Sequence, residues 1–303
     1  MPYVSELLQL CNDLGCEYLI NEPLKLHTTF KVGGKCKVFI EISSVESACK
    51  IVSYLNQHNI RYYVLGNGSN TLVSDNGFDG VILHLGKKFS NIELIGNNRI
   101  KSYAGTSLKD LCLKALENSL TGLEFAYGIP GSVGGALFMN AGAYDGEMVD
   151  VVKEAEYITP NGELKTISAE CMELSYRHSI FSDLNNAMIV SITVECSIGE
   201  HDKIQSRMNE LLQARKSKQP LEYPSAGSTF KRPVGNYASK LIDECGLRGF
   251  SYGDAQVSEK HCGFVINKGN ATYEDIINLT NRIISIVHEK TGYTLELEPK
   301  ILK

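Results

Sequence analysis

Between Tyr223 and Pro233 the chain reads Tyr-Pro-Ser-Ala-Gly-Ser-Thr-Phe-Lys-Arg-Pro. Two hydroxyls, Ser225 and Ser228, stand within a few residues of two cations, Lys231 and Arg232. Pro224, Gly227 and Pro233 would interrupt a ladder, so the segment is too rich in turn formers for an ordinary core strand. A small hydroxyl on a tight glycine turn beside fixed positive charge suits proton delivery to an anionic substrate. On these residues alone, a surface turn with a basic tip is the simpler reading.

Other segments add chemistry of the same kind. Tyr176-Arg177-His178-Ser179 sets a cation in an otherwise uncharged turn. Most such arginines are surface ion-pair partners, but a guanidinium also clamps a carboxylate bidentately. In Leu295-Glu-Leu-Glu298 strict alternation predicts Leu295 and Leu297 on one strand face and Glu296 and Glu298 on the other. Two carboxylates on a solvated face usually do nothing. Gly66-Asn67-Gly68-Ser69-Asn70 follows a buried strand, and its exposed amides could form an anion-binding concavity. It matches neither the dinucleotide fingerprint nor a Walker loop.

The run from Gly128 to Tyr144 carries five glycines with few charges, which describes a rigid buried loop. Gly131, Ser132, Val133, Gly134 and Gly135 offer closely spaced amides with little side chain in the way. A diphosphate between this loop and residues 66–70 would use both. A structural crossover packed on a sheet accounts for the glycines equally well.

These residues need elements to hold them. Apolar spacing predicts an N-terminal helix over 2–14, a half-buried strand over 36–42, a helix over 45–58 and a buried strand over 61–65, together a small βαβ unit. From 80 to 199 the pattern becomes short strands at 81–85, 91–95, 100–104, 151–159, 163–167 and 187–196. A helix at 107–118 interrupts them, with Ser107 as N-cap, and Asn161-Gly162 marks a hairpin. A polar helix over 202–218 leads to a last α/β unit with a helix at 273–290 and a strand at 293–302. The expected division is 1–79, 80–200 and 201–303.

At 303 residues, 43% hydrophobic and 21% charged, the chain is long enough for two or three globular domains. No apolar run is long enough to span a membrane, and the N-terminal residues carry no secretory pattern. A net charge of −5 argues against nucleic acid, which wants a broad basic face. Nine scattered cysteines without a C-x-x-C pair argue against a zinc site and fit reduced thiols in the cytoplasm.

Together the segments carry a specific likeness. Thr28-Thr-Phe-Lys-Val-Gly-Gly34, Leu65-Gly-Asn-Gly-Ser-Asn-Thr-Leu72, Gly128-Ile-Pro-Gly-Ser-Val-Gly-Gly135, Asn140-Ala-Gly-Ala-Tyr144, Tyr176-Arg177, Lys218-Gln-Pro220, the 225–233 segment and Leu295-Glu-Leu-Glu-Pro-Lys300 come in the order of one family. Over nearly its whole length the chain resembles the UDP-N-acetylenolpyruvoylglucosamine reductase family of flavoenzymes. The resemblance implies an α+β fold, with a two-subdomain FAD-binding module of the vanillyl-alcohol-oxidase (PCMH) type and a C-terminal α/β substrate domain. It implies NADPH as hydride donor and the enolpyruvyl ether of UDP-N-acetylglucosamine as substrate. By motif, Ser228 is the expected proton donor, with Arg177 and Glu298 as its catalytic partners. Tyr176, Lys231 and Arg232 are expected at the substrate, and Gly66–Asn70 and Gly131–Gly135 at FAD.

No histidine lies in residues 59–83, so FAD is expected to be noncovalent. No metal is expected, and the chain is expected to act as a monomer. Two departures stand out: Lys35 where proline often follows the Gly-Gly pair, and Asp145 where glycine often follows the tyrosine. There is no room between Ile180 and Asp202 for the substrate-gating insertion of one family branch. Two alternatives stay open: another FAD oxidoreductase of the superfamily, and a catalytically silent nucleotide-binding protein on the same scaffold.

Overall fold

Cys36–Glu41 buries Cys36, Val38, Phe39 and Ile40, so both faces of this strand are covered, not one as the alternation predicted. A strand of that kind belongs inside a sheet. The computed structural model, which describes residues 2–184 and 186–303, places it second in a four-stranded sheet. The order is Glu17–Ile20, Cys36–Glu41, Phe78–His84, Tyr62–Leu65. Tyr62–Leu65 runs parallel to Phe78–His84, which lies between the two strands of the expected βαβ unit. The crossover helix Val45–Gln57 begins at a Ser44–Ser47 capping box, worth about 1 kcal/mol, and buries Ile51, Val52 and Leu55.

Of the six strands expected after residue 80, the one at 81–85 is part of Phe78–His84 in the four-stranded sheet, and the other five form a five-stranded antiparallel sheet. Its order is Leu164–Ser168, Val152–Ile158, Met188–Glu195, Arg99–Tyr103, Ile92–Ile95. Met188–Glu195 is buried along nearly its whole length, as a central strand must be. Gly162 turns the 158–164 hairpin at φ +83°, a conformation that favours glycine. Helix Leu108–Glu117 is capped by Ser107, whose hydroxyl accepts from the Asp110 amide.

Two compact units result, and they interleave in sequence. Met1–Ile20, Lys37–Asn67 and Gly80–Gln213 make the first; Asn21–Cys36, Gly68–Asp79 and Ala214–Lys303 make the second. Most of 1–79 and 80–200 therefore shares one unit, while 21–36 and 68–79 join the C-terminal part.

In the second unit, strands Ser251–Tyr252, Ala255–Val257 and Val265–Asn267 form a small antiparallel sheet beside helices Ala238–Glu244 and Tyr273–Thr291. The longer helix starts at a Thr272–Asp275 capping box and stops at Gly292 in the left-handed conformation. Its Ile276, Leu279, Ile283 and Val287 pack in a core with Phe30, Leu72, Phe230, Leu241 and Leu295.

The expected strand over 293–302 is mostly absent: only Lys300–Leu302 is a strand, parallel to Thr71–Val73. Pro299 explains the interruption, because it has no N–H and the chain changes partner across it. The Glu298 amide bonds to the Thr229 carbonyl at 3.0 Å, and the Lys300 amide to that of Asn70 at 2.9 Å.

Candidate active site

The 224–231 segment lies between two others in the second unit. On one side the Asn267 amide donates to the Pro224 carbonyl (2.9 Å) and the Thr229 amide to the Gly263 carbonyl (2.8 Å). On the other, Phe230 and Leu297 form a bridge, flanked by the Glu298 amide on the Thr229 carbonyl and the Lys231 amide on that of Glu296. Ala226, Thr229 and Phe230 are buried, while Gly227 and Ser228 are only half-buried. The Ser228 backbone is thus one residue from the point where Glu298 pairs.

The two glutamates differ, contrary to simple alternation. Glu296 is exposed and its carboxylate pairs with Lys231 at 3.3 Å, whereas Glu298 is half-buried. Lys231 is therefore already engaged by a carboxylate. The Arg232 guanidinium lies 4.7 Å above the Tyr237 ring centroid.

The glycine loop is tied to this segment through Thr29. The Thr29 hydroxyl donates to the Ser225 carbonyl at 2.6 Å, and its amide donates to the Gly68 carbonyl at 3.2 Å. A Cβ at Gly68 would fall 2.1 Å from the His27 carbonyl oxygen, and φ there is +60°, so glycine is required twice over. Asn70 donates to the Glu298 carbonyl through Nδ2 (3.4 Å). Gly68 is buried, yet its amide donates to no acceptor among the described residues, nor do those of Asn67 and Ser69. Asn67 is exposed and Ser69 half-buried, and unspent donors in such an uncharged, accessible loop around a buried glycine fit the oxygens of a diphosphate. These residues could hold FAD.

In the first unit a Cβ at Gly66 would meet the Ser132 Oγ at 2.2 Å, so the two glycine segments touch there. The expectation for Gly131–Gly135 needs correcting in part. The Val133 amide donates to the Thr106 carbonyl, that of Gly134 to Ala104, and that of Gly135 to the Ser132 hydroxyl. The sequence read these amides as open, but the one-and-a-half-turn helix Val133–Phe138 and its neighbours use them. The amides of Gly131 and Ser132 have no such acceptor among the described residues.

Tyr176 and Arg177 form the tip of a tight turn closed by reciprocal amide–carbonyl bonds between Ser175 and His178. Arg177 has φ +56°, a conformation costing a non-glycine residue about 1 kcal/mol, and its guanidinium lies 5.0 Å from the Tyr176 ring centroid. The fully buried Asn140 holds this turn. Its Nδ2 donates to the Ser175 carbonyl (3.1 Å) and to Glu147 (3.0 Å), while its Oδ1 accepts the Val149 amide (2.9 Å). The Ser179 hydroxyl adds a bond to the Phe138 carbonyl. Strain retained under this much restraint is typical of functional positions.

Glu173, His178 and Asp183 bring ligand atoms within 4.8 Å of one another. His178 Nδ1 already shares a hydrogen bond with Ser182, and Nε2 lies 3.6 Å from Asp183. That is an ordinary surface ion-pair arrangement.

Both departures from the family pattern have local explanations. Tyr144 and Asp145 join a hairpin between Gly142–Ala143 and Gly146–Glu147, with φ of +52° and +65°. Such a turn wants glycine, asparagine or aspartate, so Asp145 fits where glycine would. At Lys35 the bridge to Pro23 runs through the Leu24 and Cys36 amides, leaving the residue 35 amide unneeded, as a proline requires. Thr29, Thr229 and Asn140 were not read as functional from the sequence. All three lie inside the motifs quoted for the resemblance, which was the available signal.

Comparison with known proteins bears on the chain as a whole. Residues 36–168 match the family model of an FAD binding domain, and 219–302 that of the UDP-N-acetylenolpyruvoylglucosamine reductase C-terminal domain. The reductase of that name from Caldanaerobacter subterraneus subsp. tengcongensis is 46% identical over 283 residues, 93% of each chain. That from Clostridium kluyveri is 48% identical over 279 residues, covering 92% of this chain and 90% of its own. The crystal structure of the Thermus caldophilus reductase superposes with a TM-score of 0.81 at 34% identity, covering 95% of this chain and 99% of its own.

Proposed function

The chain belongs to the UDP-N-acetylenolpyruvoylglucosamine reductase family, and from that premise we propose how its residues divide the work. The protein is an FAD-dependent oxidoreductase of peptidoglycan precursor synthesis. It reduces the enolpyruvyl ether of UDP-N-acetylglucosamine to UDP-N-acetylmuramate with NADPH. FAD, when bound, supplies the hydride-transfer chemistry, and position and electrostatics come from the protein.

The substrate is an enol ether bearing a carboxylate. As hydride adds to its terminal carbon, the π electrons move onto the adjacent carbon and into the carboxylate. Arg177 by its positive charge, and Glu298 as a neutral carboxylic acid that donates a hydrogen bond, stabilise the negative charge that builds there. Ser228 gives its proton to that adjacent carbon, completing reduction of the double bond. Tyr176 and Arg232 contact the nucleotide sugar. Lys231 joins them at the substrate, its exposed pair with Glu296 adding little to the fold. The amides of Asn67, Gly68, Ser69, Gly131 and Ser132 hold the FAD diphosphate, with Gly66, Asn70, Val133, Gly134 and Gly135 shaping the loops around them.

The observation that carries this reading is the set of bonds joining Gly68 through Thr29 to Ser225, and Asn70 to Glu298. One small network positions a cofactor loop, a hydroxyl and a carboxylate. As in the family division, 1–79 and 80–200 serve FAD and 201–303 the substrate. No helix among the described residues is long and apolar enough to cross a membrane, and all nine cysteines are free thiols. The free thiols fit work in the cytoplasm, and in this reading the protein acts as a monomer.

The test is spectroscopic. The purified protein should carry a noncovalent flavin that NADPH bleaches without air and the enolpyruvyl substrate restores. A protein that neither carries nor takes up flavin, or whose colour returns only with oxygen, contradicts this function.

A further inference from the structure

The pairing between the Ser228 segment and strand Val265–Asn267 slips by one residue between its two backbone contacts. The Asn267 amide meets the Pro224 carbonyl, but the Thr229 amide meets the carbonyl of Gly263, so the 224–229 side carries one residue too many. That one-residue offset between two extended segments acts as a β-bulge does when it re-aims a side chain. Gly227 forms it at φ +76°, and the half-buried pair Gly227-Ser228 rises between buried Ala226 and buried Thr229.

A bulge withdraws a carbonyl from the neighbouring ladder. The Val265 amide lies in the gap, and it donates instead to the Thr229 Oγ1 at 2.8 Å. Thr229 is 2% exposed, so no bulk water competes for this contact. The same residue donates its amide to Gly263 and lends its carbonyl to Glu298. A side-chain hydroxyl therefore replaces the missing carbonyl and closes the bulge.

We propose that Thr229 is a positioning residue for the reduction: its hydroxyl locks the bulge that aims Ser228 at the carbon to be protonated. The proposal rests on the reading of Ser228 as proton donor. In that role a fixed hydroxyl is required, because misplacement by about 1 Å can cost on the order of 10²-fold in rate.

The experiment uses the flavin-loaded protein and separates the two half-reactions by anaerobic stopped flow. Thr229→Val keeps shape and loses the acceptor. It should leave flavin reduction by NADPH unchanged and slow reoxidation by the enolpyruvyl substrate by about 10- to 100-fold. Thr229→Ser keeps the acceptor and should restore most of that rate. In a Ser228→Ala background Thr229→Val should cost nothing further, since a residue acting only through Ser228 has nothing left to position.

Equal slowing of both halves, an undiminished penalty in the Ser228→Ala background, or Thr229→Ser as slow as Thr229→Val would overturn the proposal. If Ser228→Ala alone reoxidises at the wild-type rate, the proton-donor reading fails and this inference with it. If only Thr229→Val is at the wild-type rate, the inference fails alone. Should Thr229→Val not fold, Gly227→Ala asks the same question. No atom lies within 4 Å of the added Cβ, so the substitution strains the bulge without a clash. It should slow reoxidation selectively, and equal rates for the two halves relative to wild type would count against the proposal.

Discussion

Lys231 holds the Glu296 carboxylate at 3.3 Å on an exposed stretch, while Glu298 is half-buried with its amide on Thr229. Breaking the exposed pair removes about 0–1 kcal/mol. Glu296→Gln should therefore keep turnover within about twofold of wild type, the range of a surface substitution. Glu298→Gln keeps the backbone pairing and loses the carboxylic acid that donates to the developing anion. Steady-state turnover should fall by on the order of 10²–10³-fold, the scale of losing one stabilising group at a developing charge. Two silent substitutions, or two equally damaging ones, would remove Glu298 from the mechanism. The resemblance singled out Glu298, but strand alternation alone could not tell the two glutamates apart. Alternation puts them on one face, and the Lys231 contact that distinguishes them is a matter of pairing across segments.

His261 shows how an element can carry a charge-dependent load. Its Nδ1 accepts the Gly263 amide at 3.1 Å, its ring lies edge-on to Phe264, and the Gly263 carbonyl holds Thr229. Burial, then the nearby Arg248 charge, pushes the imidazole below its usual range against an opposing backbone hydrogen bond. A protonated ring could not accept from Gly263. With the folded value depressed, the contribution is complete above about pH 6.5, the unfolded value, and is lost as pH falls below it. Urea unfolding from pH 7.5 to 5 should show that loss, and His261→Asn, which keeps an acceptor without titrating, should flatten it. Identical pH slopes for the two proteins would dismiss the role.

At this scale most helices and strands were legible, because Ser107, Gly162 and the apolar spacing act locally. The strand over 293–302 was not. Its alternation suggested one regular partner, whereas Pro299 divides it between Thr229 and Asn70, residues remote in sequence. The amides at 133–135 were misread for a related reason: glycine content shows that a backbone is bare, not that its donors are unspent.

Across the whole molecule, the interleaving of 21–36 and 68–79 with the C-terminal residues could not be read from composition, since contacts define it and no break in the sequence marks it. Its consequence is local: Thr29 and Asn70 reach the carbonyls of Ser225 and Glu298 within one unit, so residues 68–70 and the Ser228 segment share a framework. The motifs quoted for the resemblance are the residues that build this framework, which is why the activity was legible when much of the topology was not. The central claim is that Ser228 delivers the proton to carbon, and the two half-reactions of a Ser228→Ala protein test it most directly. Flavin reduction by NADPH should proceed at close to the wild-type rate, while anaerobic reoxidation by the enolpyruvyl substrate should slow by at least about 10²–10⁴-fold. Reoxidation at the wild-type rate, or an equal slowing of both halves, would contradict the account.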